Sequence, residues 1–135
     1  MFEQCKYSSG LLENRVNDMM DLVHMEKNTF KLFLDFFDLP SSIANTFQTL
    51  GFLIETNMIK TKLLVNQNEL EVFQKVLGDK NRIEQTMINF LSNALKFTPK
   101  EGSVTIHLTL SKLYKVSYSE ETNEYDSSLF WECEQ

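Results

Sequence analysis

The stretch from Asp79 to Thr98 constrains this chain more than any other, because it reads as one helix with two unlike faces. At about 100° per residue, Ile83, Met87, Ile88, Phe90, Leu91, Ala94 and Leu95 fall on a broad apolar side. Arg82, Gln85, Asn89, Asn93 and Lys96 fall on a narrow polar stripe. Asp79 is the expected N-cap, and Pro99 and Gly102 stop the helix. A solvated outer face ordinarily mixes Glu with Lys, whereas this stripe carries amides and cations and no carboxylate. Asn89 and Asn93, one turn apart, offer carboxamide oxygens to a hard cation, and Lys96 offers a point charge to phosphate. On spacing alone, the plainer reading is the polar outer face of an amphipathic helix, and it covers the same residues.

The wording adds to the spacing. The run Asn-Phe-Leu-Ser-Asn-Ala-Leu-Lys-Phe-Thr ending at Thr98 follows Gly78-Asp79-x-x-Arg82-Ile83-x-Gln85. It resembles the N box of the sensor histidine kinases, the Mg·ATP helix of the Bergerat-type (GHKL) ATPase domain. The resemblance implies that Asn93 is a Mg²⁺ ligand and that Asn89 sits beside the phosphates. It implies a phosphate contact for Lys96 and a place in the nucleotide pocket wall for Phe97. ATP and Mg²⁺ are then the cofactors and a response regulator is a partner in the parent family. No residue here is assigned a catalytic role.

Six of the 19 acids lie in residues 119–135, which hold no base, so the rest balances at 13 acids against 13 bases. The net charge of −6 argues against nucleic-acid or anionic-membrane binding. Cys5 and Cys133 stand at opposite ends and form neither a metal motif nor a disulfide framework, so a reducing, cytoplasmic setting is expected. No run approaches the roughly 20 apolar residues of a membrane span, although a parent kinase could be membrane-anchored.

Earlier in the chain, Leu12, Val16, Met19, Val23, Glu26 and Phe30 follow a heptad seam, with Ser8 or Ser9 as a possible cap and Asn28-Thr29 weakening the end. A helix with that period wants a partner helix, and one this short suits a bundle better than a free coiled coil. The run from Leu11 to Glu26 also resembles the second helix of the histidine kinase dimerisation and phosphotransfer hairpin, which implies dimerisation through it. The family's first hairpin helix, with its acceptor His, is expected to be missing. His24 is followed by Met25 and not by an acid, so it reads as a bundle-side polar residue. His107 lies on an expected strand and is given no chemistry.

Phe30–Phe37 reads as a buried strand. Asp38, with Pro40 in the first turn, opens a helix running to about Met58, with Ile43, Phe47, Leu50 and Ile54 inward. Leu63–Val65 reads as a strand, and so does the stretch Val72–Phe73 with Val76–Leu77, across a polar turn at Asn66–Glu69. Val104, Ile106, Leu108 and Leu110 alternate with polar residues as a half-buried strand. Tyr114, Val116 and Tyr118 extend it or begin another, and beyond Ser119 the acidic tail shows neither period.

In the family, the strand after the N box leads to Asp-x-Gly-x-Gly and then to a second Gly-rich turn. Of the four glycines here, only Gly102 follows the N box. The expected fold class is therefore α/β: a partial histidine kinase-like mixed sheet backed by helices, entered through a long bundle helix. The expected domains are 1–29, the hairpin helix; 30–118, a truncated ATPase domain; and 119–135, an acidic tail. The expected function is a fragment or truncated form of an ATP-dependent sensor histidine kinase in phosphorelay signalling. The alternative is a catalytically inactive module that dimerises with, or modulates, an intact kinase.

Overall fold

The computed structural model describes residues 1–112 together with the backbone of two short segments, 118–119 and 124–125. Helix α1 (Phe2–Glu26) leads, and strand β1 (Asp35–Phe37) follows. Helices α2 (Leu39–Thr49) and α3 (Gly51–Thr56) precede strand β2 (Lys60–Val65). A single turn, α4 (Leu70–Phe73), and strand β3 (Val76–Gly78) lead into α5 (Lys80–Phe97), and β4 (Ser103–Leu108) closes the body. Strands β5 (Tyr118–Ser119) and β6 (Glu124–Tyr125) pair antiparallel.

The architecture is α/β, as expected, but its strands form separate pairs. β1 and β3 are antiparallel, with Asp35 opposite Gly78. β2 and β4 are parallel, with Lys60 opposite Ser103 and Val65 opposite Leu108. A parallel pair needs a crossover, and α4, β3 and α5 supply it. On the inward face Thr61, Leu63 and Val65 are half-buried, with Val104, Ile106 and Leu108 beside them, while Ser103, Thr105 and His107 are exposed. The alternation read from β4 is therefore real.

Helices α2, α3 and α5 cover that inward face. Leu50, Ile59, Leu91 and Leu95 form the buried centre, with Phe47, Ile54, Met87, Ile88 and Ile106 packed against it. Ile43 is buried on α2. Leu50 and Leu95 are fully shielded from water, and each such side chain stabilises the fold by about 1.5–3 kcal/mol. Asp38 caps α2 by accepting from Ser41 N at 2.9 Å. After α5, Gly102 N donates to Pro99 O at 2.9 Å. A Cβ at Gly102 would lie 2.5 Å from Thr98 Cγ2, so the turn has room only for glycine.

Several local expectations are corrected. α1 begins at Phe2, without a side-chain cap, well before Ser8 or Ser9, while Asn28 ends it in the left-handed region at φ 53°. Phe30–Phe37 is not a buried strand: only Asp35–Phe37 pairs, and Leu32 and Phe33 are exposed. The segment is apolar, but among the described residues its strand partner is the short β3, which pairs with Asp35–Phe37 alone. The helix expected from Asp38 to Met58 breaks at Leu50–Gly51 into α2 and α3. Val72 and Phe73 lie on the helical turn α4, and only Val76–Gly78 is strand. Phe90, expected on the apolar face of α5, is 70% exposed. Tyr114, Val116 and most of the acidic tail lie outside the described residues.

Candidate functional site

The candidate site rests on α5, whose start is firmly built. Asp79 is 7% exposed and caps the helix by accepting from Arg82 N at 3.3 Å. Its other oxygen accepts from Phe33 N at 3.0 Å, which ties the linker after α1 to the same point. Leu91 and Leu95 bury the face of the helix opposite the polar stripe.

The stripe divides into two halves. Arg82 Nη1 donates to Asp21 Oδ2, and Gln85 Nε2 donates to Asp18 Oδ1, so the first half is engaged by α1. Arg82 also lies 4.0 Å from Asp79 and has its guanidinium 5.2 Å from the Phe30 ring centroid. The second half is open. Asn89, Asn93 and Lys96 are exposed, and among the described residues neither carboxamide has a hydrogen-bond partner. Lys96 Nζ lies 5.6 Å from the Phe97 ring centroid, and Phe97 is 78% exposed. Sequence reasoning named four residues for this site, and the fold sets them on one helix end, with Phe97 the most outlying.

That donor set suits a cation that brings its own ligands. Carboxamide oxygens are weak, hard ligands, and Mg²⁺ keeps waters and phosphate oxygens around it. Among the described residues there is no group of three or more His, Cys, Asp or Glu able to hold a metal by itself. The arrangement thus fits the phosphate end of a Mg·nucleotide. His24 is half-buried on α1, and Thr29 Oγ1 donates to its carbonyl at 3.3 Å. A pairing that the sequence did not reveal was α1 with the stripe; Asp18 and Asp21 were visible, but no local signal joined them to Gln85 and Arg82.

No protein-family model matches the chain. A hybrid signal transduction histidine kinase D from Dictyostelium discoideum is 29% identical over 109 residues, covering 78% of this chain and 7% of that protein. The histidine protein kinase DivJ of Caulobacter vibrioides is 31% identical over 99 residues, covering 73% of this chain and 16% of that protein. The chain thus spans a small part of the curated relatives it matches. In structure, the histidine kinase AdeS of Acinetobacter baumannii superposes with a TM-score of 0.59 at 20% identity, over 76% of this chain and 49% of that one. The cytoplasmic segment of histidine kinase QseC superposes with a TM-score of 0.58 at 16% identity, over 70% of this chain and 63% of that one. At those identities the superpositions speak to fold. No helix of the described residues is long and apolar enough to cross a membrane.

Proposed function

The chain is related in sequence and fold to the sensor histidine kinases, and from that premise we propose that α5 is one wall of a Mg·ATP site. The observation that carries the proposal is the open half of its stripe. Asn93 holds Mg²⁺, Asn89 stands beside the phosphates, Lys96 neutralises a phosphate oxygen and Phe97 borders the nucleotide. Bound Mg·ATP supplies the transferable phosphoryl group. The chain's own contribution is to place two amide oxygens and one ammonium on a helix that its core keeps from turning.

A complete kinase of this family would pass that phosphoryl group to a histidine and on to a response regulator. The glycine-rich segments that close the adenine end are not among these 135 residues. We therefore assign these residues the N-box half of the site. Losing a polar partner for the adenine edge costs on the order of 1–3 kcal/mol, so binding by this half alone is weak.

A magnesium-dependent NMR titration tests the assignment. Addition of ATP with Mg²⁺ is expected to move the side-chain amide signals of Asn89 and Asn93 and to leave those of Asn45 and Asn68 in place. Uniform small shifts, or shifts indifferent to Mg²⁺, would overturn it.

A second reading rests on a separate observation. Leu12, Val16 and Met19 on α1 are each more than half exposed. Their heptad spacing suits a bundle partner, in a dimer of this chain or with an intact kinase. Sedimentation at increasing concentration tests it, with a dimer expected and a monomer at all concentrations the contrary result.

A further inference from the structure

We infer that the outer face of the β2·β4 pair is a docking surface for this chain's own acidic tail, residues 119–135, whose carboxylates meet Lys60 and Lys62 there. The parallel register sets Lys60 beside Ser103, Lys62 beside Thr105 and Leu64 beside His107. Those side chains are all exposed, because alternate residues of a strand point to opposite faces and the apolar ones turn inward to the helices. The face therefore carries two lysines and no carboxylate. Lys60 and Lys62 are next neighbours on it, about 7 Å apart along the strand, so their charges repel.

Other cations of the body are compensated. Lys80 Nζ lies 3.9 Å from Glu84 Oε1, and Arg82 meets Asp21 and Asp79. Lys75 and Lys96 lie over the rings of Phe36 and Phe97. Among the described residues, Lys60 and Lys62 have neither an acid nor a ring. Leu64, 48% exposed, adds an apolar spot at the end of the face where β4 runs out.

The occupant is chosen by charge and by reach. The body balances at 13 acids against 13 bases, so the body of a second copy brings no net negative charge to this face. The tail holds six acids and no base, and Tyr125, Phe130 and Trp131 among them can cover Leu64. Glu69 Oε2 accepts from Leu110 N at 3.2 Å, which holds the chain leaving β4 at the Leu64 end. From Leu108 back to the level of Lys60, opposite Ser103, is about 17 Å at about 3.3 Å per residue. The chain from Leu108 to Glu120 spans up to roughly 40 Å when extended, so Glu120, Glu121, Glu124 and Asp126 all reach the lysines. A docked tail gives the strand pair a layer on its outer side, as the helices give it one on the inner. Exposed ion pairs of this kind are screened by salt, so the docking weakens as ionic strength rises.

Carbodiimide coupling of the full chain, which joins a lysine amine to a carboxylate in contact with it, tests this. Equal parts of ordinary and ¹⁵N-labelled protein are coupled together and the joined peptides are mapped by mass. Lys60 and Lys62 are expected to couple to tail carboxylates several-fold more than exposed Lys31, Lys80 and Lys100 do, within one isotope and less at high salt. An even spread over those lysines would overturn the docking and leave the face solvated. Peptides of mixed isotope would overturn it in favour of the tail of a second copy. The methyl NMR signals of Leu64 supply a second readout. The variant Glu120→Gln, Glu121→Gln, Glu124→Gln, Asp126→Asn is expected to move them and to leave those of buried Leu91 in place. Unmoved Leu64 signals would overturn the docking, and these substitutions leave the core and both strands untouched.

Discussion

Helices α1 and α5 are the two long amphipathic helices of this chain, yet they are held in opposite ways. α5 buries Leu91 and Leu95 and leaves Asn89, Asn93 and Lys96 of its polar stripe outward. α1 leaves its apolar seam outward and turns polar residues toward the body. Burial without charge makes α5 a fixed scaffold, and charge with little burial makes α1 an attachable arm. The contrast teaches that amphipathicity alone does not say which face a helix hides. What decides is whether a partner for the apolar face lies in the same chain.

The contrast is broken first at the core. Leu95→Ala, at a fully buried site, is expected to cost about 2–5 kcal/mol, read as a fall in denaturant midpoint. That is a large share of the roughly 5–15 kcal/mol of a typical domain. A loss below about 1 kcal/mol would mean that α5 is not the scaffold. Asp79→Ala comes next, since it removes the cap of α5 and strands Phe33 N. A cost of about 1–2 kcal/mol is expected, with Asp79→Asn much milder. An alanine variant as stable as the parent would remove the joint between linker and helix.

Smaller effects sharpen the comparison. Amide exchange is expected to be slowest around Leu91–Leu95 and faster along α1, because no residue of α1 is buried. Equal protection in both would contradict the arm. Smallest of all, Val16→Asn is expected to change monomer stability by no more than about 0.5 kcal/mol while weakening self-association in sedimentation. A large loss of monomer stability would mean that the seam packs inside the chain.

Much of this was legible before the fold was known, and for local reasons. The α5 boundaries followed from Asp79 and Pro99, and the β4 alternation followed from the two-residue period of a half-covered strand. The N-box wording pointed to the correct fold family. What escaped was non-local. Arg82 and Asp21 are 61 residues apart, and Gln85 and Asp18 are 67 apart, so no window over the sequence joins them. Phe30–Phe37 was misread because apolar content signals burial only if a layer exists to cover it. Val72 and Phe73 were misread because so short an apolar run does not separate a strand from a helical turn. Of the candidate site, the positions of Asn89, Asn93 and Lys96 on one open face were legible, and the engagement of the neighbouring half by α1 was not.

The central claim is that the open half of the α5 stripe binds the phosphate end of Mg·ATP, and calorimetry of the full chain tests it most directly. The account predicts weak but saturable heat with Mg·ATP, its loss in Asn93→Ala, and its survival in Thr86→Ala on the same helix. Absence of heat in the parent chain, or equal heat in Asn93→Ala, would contradict it and leave α5 a structural helix alone.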